Sequence, residues 1–169
     1  MPLIYPLKQV LEVKKKRVED AEKVVIERRQ QLEREEEKLK QREAERDKVK
    51  EHHKSKLTQL REELDRGTTT DKIQQMKAYI KVVQENLKNE EKKVKEQKEQ
   101  VEIAKKNLEV AIKDLALRRL EVDKIELHKK DWLKTIVKEM EIKEENDFNE
   151  QGSVIYSMQQ KEKKKYGKS

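Results

Sequence analysis

The sequence predicts an all-α fold, two long helices folded back on each other as an antiparallel coiled-coil hairpin. Composition is the first reason. Of 169 residues, 47% are charged, 33% hydrophobic and 4% aromatic, with only three Gly and two Pro. That is too little apolar side chain to fill a single compact core, and too few turn residues for a fold of many short strands. Periodicity is the second. Counting in sevens from Ile73 gives Ile80, Leu87, Val94, Val101, Leu108, Leu115, Val122, Lys129 and Ile136, nine of ten of them apolar. The positions three further on (Met76, Val83, Glu90, Gln97, Ala104, Ala111, Arg118, Ile125, Trp132) are apolar in six of nine cases. A disordered polyampholyte has no reason to hold such a register, whereas a left-handed supercoil requires it. The third reason is a single run of helix breakers, Asp65-Arg66-Gly67-Thr68-Thr69-Thr70-Asp71.

The first helix is predicted over about 6–65. Pro6 suits a first helical turn, where its missing N–H costs nothing. Leu11, Val18, Val25, Leu32 and Leu39 repeat every seven residues, but their companions Lys14, Ala21, Arg28, Glu35 and Arg42 are mostly charged. Leu57, Leu60 and Leu64 then resume the pattern. The gap from Leu39 to Leu57 reads as a seven-residue and an eleven-residue step, which would loosen the coil locally. His52 and His53 fall in that gap and read as solvated surface, with no second ligand set for a metal. A turn is predicted over 66–70. There Gly67 takes the left-handed position after the helix, and Asp71 with Gln74 forms a capping box for the next helix. The second helix is predicted over about 71–150, with a tail over 151–169, because Gln151 to Gln160 is uncharged and contains Gly152. Glu-to-Lys pairs four apart, among them Glu12–Lys16, Glu19–Lys23, Glu36–Lys40, Glu91–Lys95, Glu102–Lys106 and Glu109–Lys113, support both helices by a few tenths of a kcal/mol each.

The net charge of +7 is concentrated at the C-terminal end. Residues 65–160 carry 20 basic and 20 acidic side chains, whereas Lys161 to Ser169 carry five Lys and one Glu. A balanced body argues against a nucleic-acid-binding face, which would cluster one sign. There is no Cys, hence no thiolate metal site or thiol nucleophile. The carboxylates sit on solvated faces with no dry pocket to shift them into acid–base service, and no phosphate-cradling glycine loop is present. The reading is a non-enzyme without cofactor or metal. No apolar run approaches a membrane span, and the opening Met-Pro-Leu-Ile-Tyr-Pro-Leu lacks the basic segment of a signal peptide, so a soluble, cytoplasmic chain is expected.

Folding the helices back across Gly67 leaves the second helix without a helical partner from about residue 131. That overhang is apolar on one face. Trp132, Leu133, Ile136, Val137 and Met140 form a broad stripe, Phe148 extends it, and the chain's one Trp and one Phe are both here. Leu3, Ile4 and Tyr5 are expected to cover part of the stripe, and the rest to dock into another protein. A smaller candidate surface lies at the tip, with Arg66, Thr68 and Tyr79. Charged residues near the first helix's seam, Lys14, Arg28, Glu35 and Arg42, disfavour an intermolecular four-helix bundle, so a monomer is expected.

The start of the chain resembles the YscO/FliJ family of type III secretion systems. The residues that carry the resemblance are Tyr5-Pro6-Leu7, Leu11, Val13-Lys14, Arg17-Val18 and Ala21-Glu22, within a Cys-free, highly charged two-helix layout. The resemblance implies a stalk-like hairpin that associates with the hexameric secretion ATPase, its terminal end in or near the ring pore. It also implies binding to export chaperones, and to the export gate or the needle-length regulator, at the cytoplasmic face of the apparatus. The ring-side candidates are then Leu7, Lys14, Arg17, Trp132, Leu133, Ile136, Val137 and Met140. Two other functions fit a coiled-coil hairpin. A prefoldin-like holdase would need strand-forming sequence to build its β-hairpins, and none is apparent. A tethering rod that grips membranes would need a continuous basic face, which the neutral stretch 65–160 does not supply.

Overall fold

A computed structural model describes residues 3–167. Two helices account for nearly all of them: α1, Lys8–Arg66, and α2, Thr70–Tyr166. No strand occurs among the described residues. The helices pack as an antiparallel hairpin. Glu63 meets Lys72 at 3.5 Å, His52 meets Tyr79 at 2.8 Å, and Glu35 meets Gln97, so contacts climb α2 as they descend α1. The chain divides into two compact units, Val18–Leu117 and the residues up to Arg17 taken with those from Arg118 onward.

Val18–Leu117 contains the turn. Gly67 has φ +76°, the left-handed conformation that an L side chain resists, and its N–H bonds the Leu64 carbonyl at 3.3 Å. The expected capping box at Asp71 does not form the helix start. Thr69 caps instead, its Oγ1 accepting from the Lys72 N–H at 3.4 Å, and α2 begins at Thr70. Thr69 stands three residues before that N–H, the ordinary N-cap spacing, and Asp71 lies inside the first turn, where its charge suits the helix dipole.

The heptad seam of α2 is the core. Ile80, Val83, Val94, Val101, Ala104, Ala111 and Leu115 are buried. Ala21 and Val25 pack with Ala111 and Leu115, flanked by Val18 and Leu108. Each well-covered Val or Leu contributes about 1.5–3 kcal/mol. The eleven-residue step expected in α1 is absent. Half-buried positions run 39, 43, 46, 49, 53, 56, 57, 60 and 63, with no step longer than four. Arg46, His53 and Lys56 are half-buried within this run, and the Lys56 ammonium turns toward the Tyr79 ring of α2. His53 therefore belongs to the seam rather than to the solvated surface. Leu64 stays 49% exposed, and Glu63 takes the half-buried place beside it.

In the other unit, the Leu11 N–H bonds the Leu7 carbonyl at 2.9 Å, and α1 starts at Lys8 just past Pro6. The expected helix end near residue 150 gives way to a helix that continues through Gly152 to Tyr166. A glycine inside a helix costs about 1 kcal/mol; Glu150 and Gln151 before it are good helix formers, Ser153, Val154, Ile155 and Tyr156 after it are weaker ones, and the helix runs through them unbroken. Of the expected tail, Lys168 and Ser169 lie outside the described residues. Among the pairs four apart, Glu109–Lys113 closes at 3.2 Å, while Glu102 reaches Lys105, three residues on, at 3.5 Å.

Candidate partner-binding surface

The unit holding both ends of the chain places α1's first turns against α2. Tyr5 precedes α1 and is 5% exposed. Its hydroxyl and His128 Nδ1 share a hydrogen bond, and its ring lies 5.3 Å from the Trp132 ring at 59°. The His128 ring stands 5.9 Å from Tyr5. A tilted aromatic pair of this kind adds about 0.5–1.5 kcal/mol beyond its burial. Of the three residues expected to cover the stripe, Tyr5 does so, while Leu3 and Ile4 are exposed.

Two turns into α1, Lys14 Nζ donates to Glu121 Oε2 at 3.0 Å, with Arg118 at 3.8 Å on the same oxygen. The Lys14 hydrogen bond holds the Glu121 carboxyl below its ordinary value against an opposing desolvation, and the charges of Lys14, Arg118 and Arg17 act in the same lowering direction. Lys15 pairs with Glu126 at 3.4 Å, an exposed contact of small worth. Lys14 is thus committed to the carboxylate of α2, while Arg17 is exposed and acts on it through its charge.

Beyond Trp132 the helix carries its apolar face outward. Leu133 is 39% exposed and Val137 and Met140 are each half-exposed, while Trp132 and Ile136 are half-buried. A shallow strip lined by Leu133 and Val137 is bordered by Lys130, Lys134, Lys138 and Glu141. Leu7 is also partly exposed. The structure pairs Lys14 with Glu121 and sets Trp132 under Tyr5; it leaves Arg17 exposed and Leu133, Val137 and Met140 as an open apolar face rimmed by lysines.

At the tip, Arg66 and Tyr79 line one groove with Met76. Tyr79 is held by the His52 ring edge-on at 5.9 Å and by Lys56 Nζ 5.5 Å above its face. His52 is therefore engaged with Tyr79 rather than simply solvated. Thr68 is half-buried in the turn and does not line this groove. No cluster of His, Asp or Glu among the described residues could hold a metal ion.

Two residues of the terminal end escape a reading of the sequence, His128 and Glu121. His128 lies off the apolar period, and no pattern points from it to Tyr5. Glu121 was traceable in principle, since a Lys at seam position 14 requires an opposite charge from the facing helix.

No helix of the described residues is long and apolar enough to cross a membrane. The YscO-like protein family matches residues 2–162. A solved structure of CT670 from Chlamydia trachomatis, described as a candidate YscO homologue, is 51% identical; the match covers 95% of this chain and 99% of that one with a TM-score of 0.89. A chain from a complex of the CdsV and CdsO proteins of Chlamydia pneumoniae is 57% identical over 49% of this chain and 96% of its own. Its TM-score is 0.47, and the fold comparison rests on the C. trachomatis protein. No curated protein matches the chain. With a family match over nearly the whole length and a hairpin superimposing on a homologue of half-identical sequence, the chain belongs to the YscO-like family of proteins associated with type III secretion.

Proposed function

We propose that the chain is a non-enzymatic stalk and escort protein at the cytoplasmic face of a type III secretion system, binding the hexameric secretion ATPase and export chaperones. The observation that carries this reading is the open apolar face of Leu133, Val137 and Met140, rimmed by lysines and continuous with the Tyr5–Trp132 contact. A rigid helix presenting apolar anchors inside a charged rim is what a protein partner grips, with the anchors supplying affinity and the rim orientation. Lys14, paired with Glu121, and the exposed Arg17 offer further positive charge on the same unit of the chain. The export gate and the needle-length regulator are further partners within the same reading, and the Arg66–Tyr79 groove at the tip is the second surface available to them.

The test is titration of purified secretion ATPase with the full chain and with Leu133→Asp/Val137→Asp. The wild-type chain is expected to bind and to promote hexamer formation or turnover. The variant, altered only at exposed positions, is expected to keep its helicity and lose binding at least tenfold, since truncating interface anchors costs about 1 kcal/mol or more each. Equal binding by the two chains, or no binding by either, overturns the assignment.

A further inference from the structure

About the last eight turns of α2, from Glu139 onward, carry two blocks of opposite charge. From Glu139 to Glu150 there are six carboxylates and one lysine. From Lys161 to Lys165 there are four lysines and one glutamate. Between the two blocks lie ten uncharged residues that the helix crosses unbroken. Phe148, Ile155 and Met158 fall on one face at spacings of seven and three, and all three are exposed, Phe148 by 75%. Gly152 lies on the same side, with nothing within 4 Å of where a Cβ would stand.

We infer that this segment pairs with the same segment of a second copy of the chain, antiparallel, about a two-fold axis near Ser153 and Val154. The midpoint between the acidic and basic blocks falls there, so an antiparallel partner sets each acidic block beside the other copy's lysines. A parallel partner would set acid on acid and lysine on lysine. The pairing is isologous, the same patch on both copies, as a two-fold contact demands. At that axis Ile155 of one copy lies level with Gly152 of the other, and the absent side chain lets a branched one fill the space between helices at close approach. Phe148 lies level with the Met158–Gln159 turn of the partner. The apolar residues of this contact begin at Phe148, about three turns beyond Val137, and although Glu141 of the acidic block borders the Leu133–Val137 strip, self-association of the chain alone is read without the ATPase. It departs from the monomer expected from the sequence, because the charged seam residues of α1 that disfavour a bundle are not part of this contact.

Sedimentation of the full chain alone tests it. At about 100 µM in low salt the expected mass is twice the 20.4 kDa of one chain. Raising salt to about 1 M, where the Debye length is about 3 Å, is expected to weaken association several-fold. Lys163→Glu/Lys164→Glu/Lys165→Glu is expected to weaken it at least tenfold with helicity unchanged. Adding Glu141→Lys/Glu144→Lys/Glu145→Lys to the same chain is expected to restore it, because each reversed block again meets its opposite only in the antiparallel arrangement. A single-chain mass for the wild type overturns the inference. So does a lysine variant that associates as well as the wild type, or a doubly reversed chain that stays single.

Discussion

Gln97 donates its amide to the Glu35 backbone carbonyl at 3.0 Å and to the Glu35 carboxylate as well, and Glu35 is 9% exposed. It is a buried carboxylate in the seam, with Gln31 and Lys38 as its other partners at 3.0 and 3.6 Å. A polar pair inside an apolar seam marks one axial register, since sliding either helix by a turn strands both groups.

Gln97→Ala is therefore expected to destabilise the hairpin by about 1–3 kcal/mol, the cost of leaving a buried acceptor short of its donor. Glu35→Leu/Gln97→Leu is expected to recover that loss or exceed it, because an apolar pair of similar volume carries no desolvation cost. Urea unfolding followed by helical circular dichroism measures both. A double variant less stable than the single one contradicts this account.

The N-terminal strap can be followed through the chain's one tryptophan. Tyr5→Phe removes the hydroxyl bonded to His128 and is expected to cost about 1 kcal/mol. Tyr5→Ala also strips the ring from Trp132, so its fluorescence should shift to the red as water reaches the indole. Unchanged emission in Tyr5→Ala rules out the contact.

Glu121 carries a pH signature. Its carboxyl is held below its ordinary value of 4.5 in the folded chain, so the Lys14 pairing contributes stability above that value and loses it as pH falls through the lowered folded value. Lys14→Met is expected to raise the Glu121 titration toward 4.5, read by carboxyl-carbon nuclear magnetic resonance. The effect on stability is small because the pair is solvent-exposed. A titration unmoved by the substitution removes Lys14 as the cause.

The glycines separate two roles. Gly67→Ala places a methyl on a residue at φ +76° and is expected to destabilise by about 1–2 kcal/mol. Gly152→Ala puts the same methyl on a helical residue with open space around it. At dilute concentration, where one copy is present alone, it is expected to raise the helical signal of α2 by up to the ~1 kcal/mol difference in propensity. Equal responses at the two sites would contradict the positions assigned to them.

The repeat from Ile73 to Ile136, the lone breaker run at Gly67 and the unequal lengths of the two charged stretches were enough to predict two helices, their antiparallel return and an apolar overhang. Each depends on local chain geometry, because a period of seven names the inward face of a helix and a left-handed glycine stops one wherever they occur. The rest needed the folded chain. Whether Thr69 or Asp71 caps α2, whether Arg46 and His53 complete the seam of α1, whether Tyr5 rather than Leu3 or Ile4 reaches Trp132, and how far α2 persists past Gly152 are outcomes of competition. Long polar side chains can lie along a seam or leave it, and which they do is set by the group that happens to stand opposite in the other helix. That group is known only once the two helices are laid side by side.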